Sequence, residues 1–261
     1  MSTHDSHAPG TFCWVELATS DGDAAKKFYL PLCGWKHRDD PMGPDAVYTM
    51  LMVGERHLGA LYTLNEQMRQ QGIPPHWGSY VSVADLDVSA AKVTSLGGKL
   101  LLAPMDVMEF GRMATLQDPT GAVLNLWQPK QHIGAQVLNE PVSLCWNELM
   151  TTDTDAAEAF YRGLFDWGAK TSNVPGMKYT EFTQGDRSVA GMMAIGPEMG
   201  PVPPNWMLYF AVAAVDDFAK TAGETGAKLI VPPQDIPKVG RFSVIQDPQG
   251  AVFGAITLTG A

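Results

Sequence analysis

The pattern Trp-x-Glu occurs twice: Trp14 to Glu16 in FCWVELATSDGDAAKKFY (residues 12–29), and Trp146 to Glu148 in LCWNELMTTDTDAAEAFY (residues 144–161). Alternate residues of an extended segment share a face, so Trp14 and Glu16 lie together with Phe12, and Trp146 lies with Glu148. A carboxylate beside an indole can hold a cation or orient a polar ligand. Where apolar neighbours raise its pKa it can also move a proton as general acid or base. Further along, each copy supplies a second tryptophan (Trp77, Trp206), a tyrosine (Tyr48, Tyr179) and an arginine (Arg112, Arg241) at equivalent places. Arginine suits a ligand carboxylate or a developing oxyanion. The first copy adds Ser79 and Asn125, where the second has Leu208 and Gly254.

The elements that carry these residues follow from periodicity. FCWVEL reads as a strand, followed by a turn at Ser20-Asp21-Gly22 and a helix whose apolar positions Ala24, Ala25, Phe28 and Leu32 recur at helical spacing. Asp21 or Ser20 caps that helix. Strands are predicted over 36–40, 46–53 and 57–63, separated by Met42-Gly43-Pro44 and Val53-Gly54-Glu55. The order strand, helix, three strands then recurs with WGSYVSV (77–83), a helix from Val88 to Leu96, and strands near 99–102, 112–117 and 122–127.

The whole arrangement is duplicated. PPHWGSYVSV (74–83) is answered by PPNWMLYFAV (203–212), and GRMATLQDPTGAVL (111–124) by GRFSVIQDPQGAVF (240–253). The offset falls from 132 to 129 along the chain, so a domain of about 120 residues has been copied, not a short solenoid unit. The Asp-Pro-x-Gly motifs are turns in which Gly121 and Gly250 take positive φ.

Bulk composition narrows the partners. With 261 residues and 45% apolar content, the chain is long enough for two domains with proper cores. A net charge of −10 and no Lys or Arg run longer than two exclude nucleic acid and anionic membrane as expected partners. The polar opening MSTHDSHAPG and the lack of a long apolar stretch read as cytoplasmic. Three cysteines, Cys13, Cys33 and Cys145, form no CxxC pair, and buried packing is their expected role.

The D-x-x-A-A-x-x-F-Y helix (Asp21 to Tyr29, Asp153 to Tyr161) is followed by Gly34-Trp35 or Asp166-Trp167, and each half ends on an Asp-Pro-x-Gly turn (Asp118 to Gly121, Asp247 to Gly250). With Leu126-Trp127-Gln128-Pro129, these motifs resemble the vicinal-oxygen-chelate superfamily of glyoxalase, bleomycin-resistance and extradiol-dioxygenase proteins, over about residues 10 to 258. The likeness is strongest to a tandem, two-domain antigen-type subgroup. It implies an α+β fold of four βαβββ modules, paired into two glyoxalase-like domains with U-shaped mixed sheets. The expected domains are 10–130 and 142–259, joined by a linker at 131–141.

The resemblance also implies a cavity within each U, with a divalent metal on His, Gln or Glu side chains. Carried over one at a time, the metal-ligand positions fall on Trp14 and Trp146, on Ser79 and Leu208, and on Asn125 and Gly254. The remaining position falls near Gly59 or Ala60, and near Ala190 or Gly191. None is a competent His or carboxylate ligand. All six histidines (His4, His7, His37, His57, His76, His132) precede residue 133, so the second half has none. No metal cofactor is therefore expected; the alternative of a divalent metal rests mostly on a site shared between the halves through Glu16 or Glu148.

Trp14, Glu16, Trp77, Ser79 and Asn125 are expected to look into the first cavity, and Trp146, Glu148 and Trp206 into the second; the facing of Tyr48, Tyr179, Arg112 and Arg241 stays open. In one reading the tryptophans are core filler, and Glu16 and Glu148 form internal ion pairs with Arg112 and Arg241. In the other they wall a pocket for an aromatic or cationic small molecule. The expected function is metal-independent small-molecule binding in a resistance, carrier or stress role, by a monomer or homodimer. The alternatives are an enzyme, either a metal-dependent lyase or dioxygenase with unusual ligands or a metal-free isomerase or lyase using Glu16 or Glu148 as base and an Arg to hold oxyanion charge, and a structural or interaction module with vestigial pockets. Retention of Ser79, Asn125 and His76 points to the first half as the working one.

Overall fold

The computed structural model describes residues 3–44, 46–174 and 177–259. The first half contains β1 (Phe12–Thr19), α1 (Gly22–Cys33), β2 (Lys36–Pro41), β3 (Val47–Val53), β4 (Arg56–Thr63), a short α2 (Glu66–Gln70) and β5 (His76–Ser82). It continues with α3 (Leu86–Ser95), β6 (Lys99–Val107), β7 (Gly111–Gln117) and β8 (Val123–Pro129). The second half has β9 (Leu144–Thr151), α4 (Thr154–Phe165), β10 (Gly168–Val174), β11 (Met177–Gln184) and β12 (Arg187–Ala194). It then has β13 (Asn205–Ala211), α5 (Val215–Glu224), β14 (Lys228–Ile236), β15 (Gly240–Gln246) and β16 (Val252–Leu258).

Each half forms one eight-stranded sheet, in the order β2-β3-β4-β1-β5-β8-β7-β6 and its copy β10-β11-β12-β9-β13-β16-β15-β14. β1 and β5 pair antiparallel at the centre, and each also pairs in parallel with the last strand of its own module. The α+β fold of two glyoxalase-like domains expected from the sequence is what forms. Among the described residues no helix is long and apolar enough to cross a membrane.

Local chemistry sets the helix ends. Asp21 accepts the Ala24 N–H at 2.9 Å, and Asp153 accepts that of Ala156 at 3.0 Å. α1 stops at Gly34 and α4 at Asp166, both left-handed, with φ of 66° and 57°. Asn and Asp tolerate that region better than most residues, which lets Asp166 stand in for the glycine.

One hydrophobic cluster runs through both halves, holding Leu17, Tyr29 and Trp77 from the first and Leu149, Tyr161 and Trp206 from the second. Within it the halves exchange hydrogen bonds reciprocally. Trp77 donates to the Tyr29 hydroxyl (3.0 Å), which donates to Asp247 (2.9 Å). Trp206 donates to the Tyr161 hydroxyl (2.7 Å), which donates to Asp118 (2.9 Å). Asp118 uses its other oxygen to accept the N–H groups of Thr120, Gly121 and Ala122, so each Asp-Pro-x-Gly turn is fastened to the opposite half. Gly121 and Gly250 do adopt positive φ, 112° and 109°.

The linker lies against the first half, in the gap where β1 and β4 diverge. Ala135 donates its N–H to the Cys13 carbonyl (2.7 Å) and Gln136 to that of His57 (2.7 Å), while His57 N–H returns to the Gln136 side chain (3.0 Å). Ala135 and Val137 are fully buried there, and Glu140 closes the segment in a bidentate pair with Arg56 at 2.7 and 3.0 Å.

Candidate functional site

One face of each sheet packs into the shared core and the other forms a cup. A β-bulge decides which side chains go where. Phe12 pairs with Val81 and Trp14 with Tyr80, leaving Cys13 as the extra residue; Leu144, Phe210, Trp146 and Tyr209 repeat this around Cys145. The inserted residue flips the alternation. Phe12 therefore joins the core cluster instead of sharing a face with Trp14 and Glu16 as simple alternation predicts.

At the floor of the first cup, Glu16 accepts hydrogen bonds from Tyr48, from Tyr80 (2.5 Å) and from the Trp14 indole (3.3 Å). In the second, Glu148 accepts from Tyr179 (2.9 Å) and Tyr209 (3.1 Å), and the Trp146 indole donates to Tyr179 (3.1 Å). Every one of these donors is neutral. Burial raises both carboxyl pKa values, and the tyrosine hydrogen bonds partly oppose it. The same burial, together with the adjacent Glu, holds the tyrosines in their protonated, donating form.

The remaining sequence candidates divide. Tyr48 and Tyr179 are in the cups, and so is Asn125, which accepts from Thr115 (2.7 Å). Trp77 and Trp206 are not: both sit in the interdomain core, 5% and 6% exposed, engaged in the relays described above. Ser79 likewise turns to the other half and donates to Asn147 at 2.6 Å. The cause is register, because Glu16 pairs with Gly78 and Trp14 with Tyr80, which puts the intervening residues of β5 on the core side.

Arg112 and Arg241, ligand-binding candidates whose facing the sequence leaves open, do not reach the cups. Each shares a face with core residues of its strand and pairs with the first turn of the covering helix, Arg112 with Asp87 (2.6 Å) and Arg241 with Asp216 (2.8 Å), and Arg241 also pairs with Asp235 of the neighbouring strand β14 (3.0 Å). The expected internal pairs with Glu16 and Glu148 therefore do not form. What the sequence reading missed is Tyr80 and Tyr209. The signal was present, since Tyr stands at the same place in PPHWGSYVSV and PPNWMLYFAV.

The cups differ in chemistry. Tyr62 beside Tyr48, Trp127 beside Met113 and Asn125 beside Thr115 are replaced by Met193, Ile256 beside Phe242, and Gly254 beside Val244. The first is rich in hydroxyl, amide and aromatic groups, and the second is largely apolar. At the first cup the linker's His132 stands edge-on to Trp14 with ring centres 4.7 Å apart.

The residues present do not fit the divalent metal of related sites. Cup-facing Trp14, Gly78, Tyr80 and Asn125 offer no imidazole or second carboxylate, and the two Glu16 oxygens are already engaged by three donors. Among the described residues no group of three or more His, Cys, Asp or Glu converges.

Two sheets of paired βαβββ modules, each enclosing a cup with a Glu–Tyr–Tyr floor, define the class. The chain belongs to the Glyoxalase/Bleomycin resistance protein/Dioxygenase superfamily, whose family model matches residues 11–126 and 141–254. It is 39% identical over 258 residues to "Putative glyoxylase CFP32" of Mycobacterium bovis, covering 98% of each chain. It is 31% identical to "Anthracycline biosynthesis protein DnrV" of Streptomyces peucetius, covering 96% of this chain and 94% of that one. The fold is shared with an extradiol ring-cleaving dioxygenase from B. fuscum (TM-score 0.66, 14% identity, 100% of this chain and 76% of the other). It is shared too with the Mn(II)-bound glyoxalase of Novosphingobium aromaticivorans (TM-score 0.64, 15% identity, 95% and 82%).

Proposed function

We propose that the chain is a metal-independent small-molecule-binding protein that takes an aromatic or cationic compound in its cups, in a resistance, carrier or stress role in the cytoplasm. The observation that carries this is the pair of carboxylates Glu16 and Glu148, the first half-buried and the second buried, each held by two tyrosines and, among the described residues, by no Arg or Lys. A buried carboxylate without a cationic partner is costly. A ligand that brings a positive group, packed on aromatic faces, supplies the missing partner. A planar ring system suits the same walls. The name of the Streptomyces relative, which refers to anthracycline biosynthesis, is in keeping with such a compound.

A second reading, a lyase, isomerase or dioxygenase with non-standard residues, is favoured by one observation. The raised carboxyl pKa is what a general acid or base working near neutral pH needs.

The test is a titration of the purified protein with planar aromatic amines, followed by tryptophan quenching, alongside elemental analysis. Saturable binding at metal-free stoichiometry, lost in Glu16→Gln or Glu148→Gln with folding intact, is expected. A stoichiometric bound metal, or ligand affinity untouched in both variants, defeats the proposal. Turnover of a bound compound that both variants lose would move it to the second reading.

A further inference from the structure

The two halves differ at one place where the repeat predicts likeness. The linker segment Gly134 to Pro141, which precedes β9, corresponds residue by residue to Ser2 to Pro9, which precedes β1. In the first half that linker fills the gap between β1 and β4, bonding to Cys13 and His57 and ending on the Arg56–Glu140 pair. The equivalent gap in the second half lies between β9 and β12, bounded by Cys145, Ser188 and Arg187. The described residues of the N-terminal arm do not enter it. His4 donates its N–H to the Gln136 carbonyl (3.0 Å) and the His7 ring meets the Ala135 carbonyl (2.7 Å), so the arm runs along the outside of the linker.

Sequence explains the departure. Fully buried Val137 is answered by Asp5, Leu138 by Ser6, and Glu140 by Ala8. Seating the arm would bury an unpaired Asp5 and leave Arg187 with no carboxylate. In its place stands a cleft of about 460 Å³, lined by the arm, by Leu138 and Asn139 at the end of the linker, by Cys145 and Trp146 of β9, and by Arg187 and Ser188 of β12. Arg187 and Ser188 are exposed where Arg56 and His57 are half-buried, and Cys145 is partly exposed where Cys13 is fully buried. Among the described residues Arg187 has no ion-pair partner, and no loop or side-chain group takes the place that Ala135 and Gln136 hold in the first half.

We infer that this cleft is a docking seat for an extended acidic peptide of a partner protein, with the pattern small-x-apolar-x-x-acidic that residues 135–140 display. The peptide backbone meets the Cys145 carbonyl and the Ser188 peptide group, the apolar side chain enters the floor, and the carboxylate forms the bidentate pair with Arg187. The first half shows the geometry in full. The cleft volume, about 460 Å³, is within the ordinary size of ligand sites.

The experiment uses the full chain and a fluorescently labelled peptide IGAQVLNEP, the sequence of residues 133–141. Anisotropy should show saturable one-to-one binding. Arg187→Glu should weaken it by about tenfold or more, as loss of a bidentate charge-assisted pair would. A peptide carrying Lys in place of Glu should prefer Arg187→Glu over the wild type. Because Arg187 is exposed and unpartnered, its replacement should leave the melting temperature unchanged. Absence of saturation overturns the inference, as does binding indifferent to Arg187→Glu, which would place the peptide elsewhere. Binding that appears only after removal of the first eight residues would assign the seat to the arm and overturn it too.

Discussion

Tyr161→Phe offers a sharp test of how the halves are joined. The Tyr161 side chain is fully buried, and its oxygen accepts from Trp206 at 2.7 Å while donating to Asp118 at 2.9 Å. Phenylalanine fits the same space, so packing is kept and only the oxygen is lost. That loss orphans a buried indole N–H and one carboxylate oxygen. Each such group costs ~1–3 kcal/mol, so the expected destabilisation is ~2–6 kcal/mol. Urea denaturation followed by tryptophan fluorescence measures it, with an unchanged slope if both halves still unfold together. Tyr29→Phe provides an internal replicate through Trp77 and Asp247. The two sites share no partner, so the double variant should be additive within ~0.5 kcal/mol. A loss below ~0.5 kcal/mol in both single variants would refute the view that these relays hold the halves together.

Other outcomes follow from the same geometry. Glu148 has a folded-state pKa raised above its unfolded value, so its contribution to stability is fully present at low pH and is lost as pH rises through the folded value. The loss amounts to ~1.4 kcal/mol for each pH unit that separates the folded and unfolded values. Glu148→Gln should therefore gain on the wild type between pH 4 and pH 8 in parallel denaturation curves, and an equal gap at both pH values would contradict this. His132 has its pKa pushed down to about 4 by burial, so it must charge on unfolding in mild acid. Stability should fall as pH drops from 6.5 towards 4, by at most ~3 kcal/mol, and His132→Phe should flatten that slope. Gly191→Ala should cost ~1–3 kcal/mol and weaken binding in the second cup, because a Cβ there would collide with the Tyr179 hydroxyl. Calorimetry on that variant, with and without ligand, checks both effects.

Most of the fold was legible because the duplication repeats every strand and helix signal, and because the Asp21 and Asp153 caps and the Gly121 and Gly250 turns act locally. The site was legible only in part. Trp14, Glu16, Tyr48 and Asn125 reach the first cup, while Trp77, Ser79 and Trp206 do not, because facing along β5 and β13 depends on a pairing register that no single strand encodes. The same limit applied at Cys13 and Cys145, where an inserted residue breaks an alternation that looked continuous. Arg112 and Arg241 paired outward with the covering helices, a choice fixed by tertiary packing. The second-half cleft came from a difference between copies, Asp5 for Val137 and Ala8 for Glu140, whose meaning appears only once the linker's seat is known.

The bulges carry a further consequence for how the molecule can be observed. Each places a thiol at the base of a cup, with the Cys13 Sγ 3.5 Å from the Tyr80 carbonyl and the Cys145 Sγ 3.3 Å from that of Tyr209. Burial pushes the Cys145 pKa up to about 12 and raises that of Cys13 as well. At pH 8 a thiol with a pKa of about 12 is ionised in only ~1 molecule in 10⁴, so alkylation is slow, and fully buried Cys13 reacts only in molecules that have opened. Mass spectrometry can tell the two cysteines apart, and their labelling rates would read the breathing of the two cups separately in the unmodified protein. A ligand that settles in one cup would then slow one clock and leave the other running.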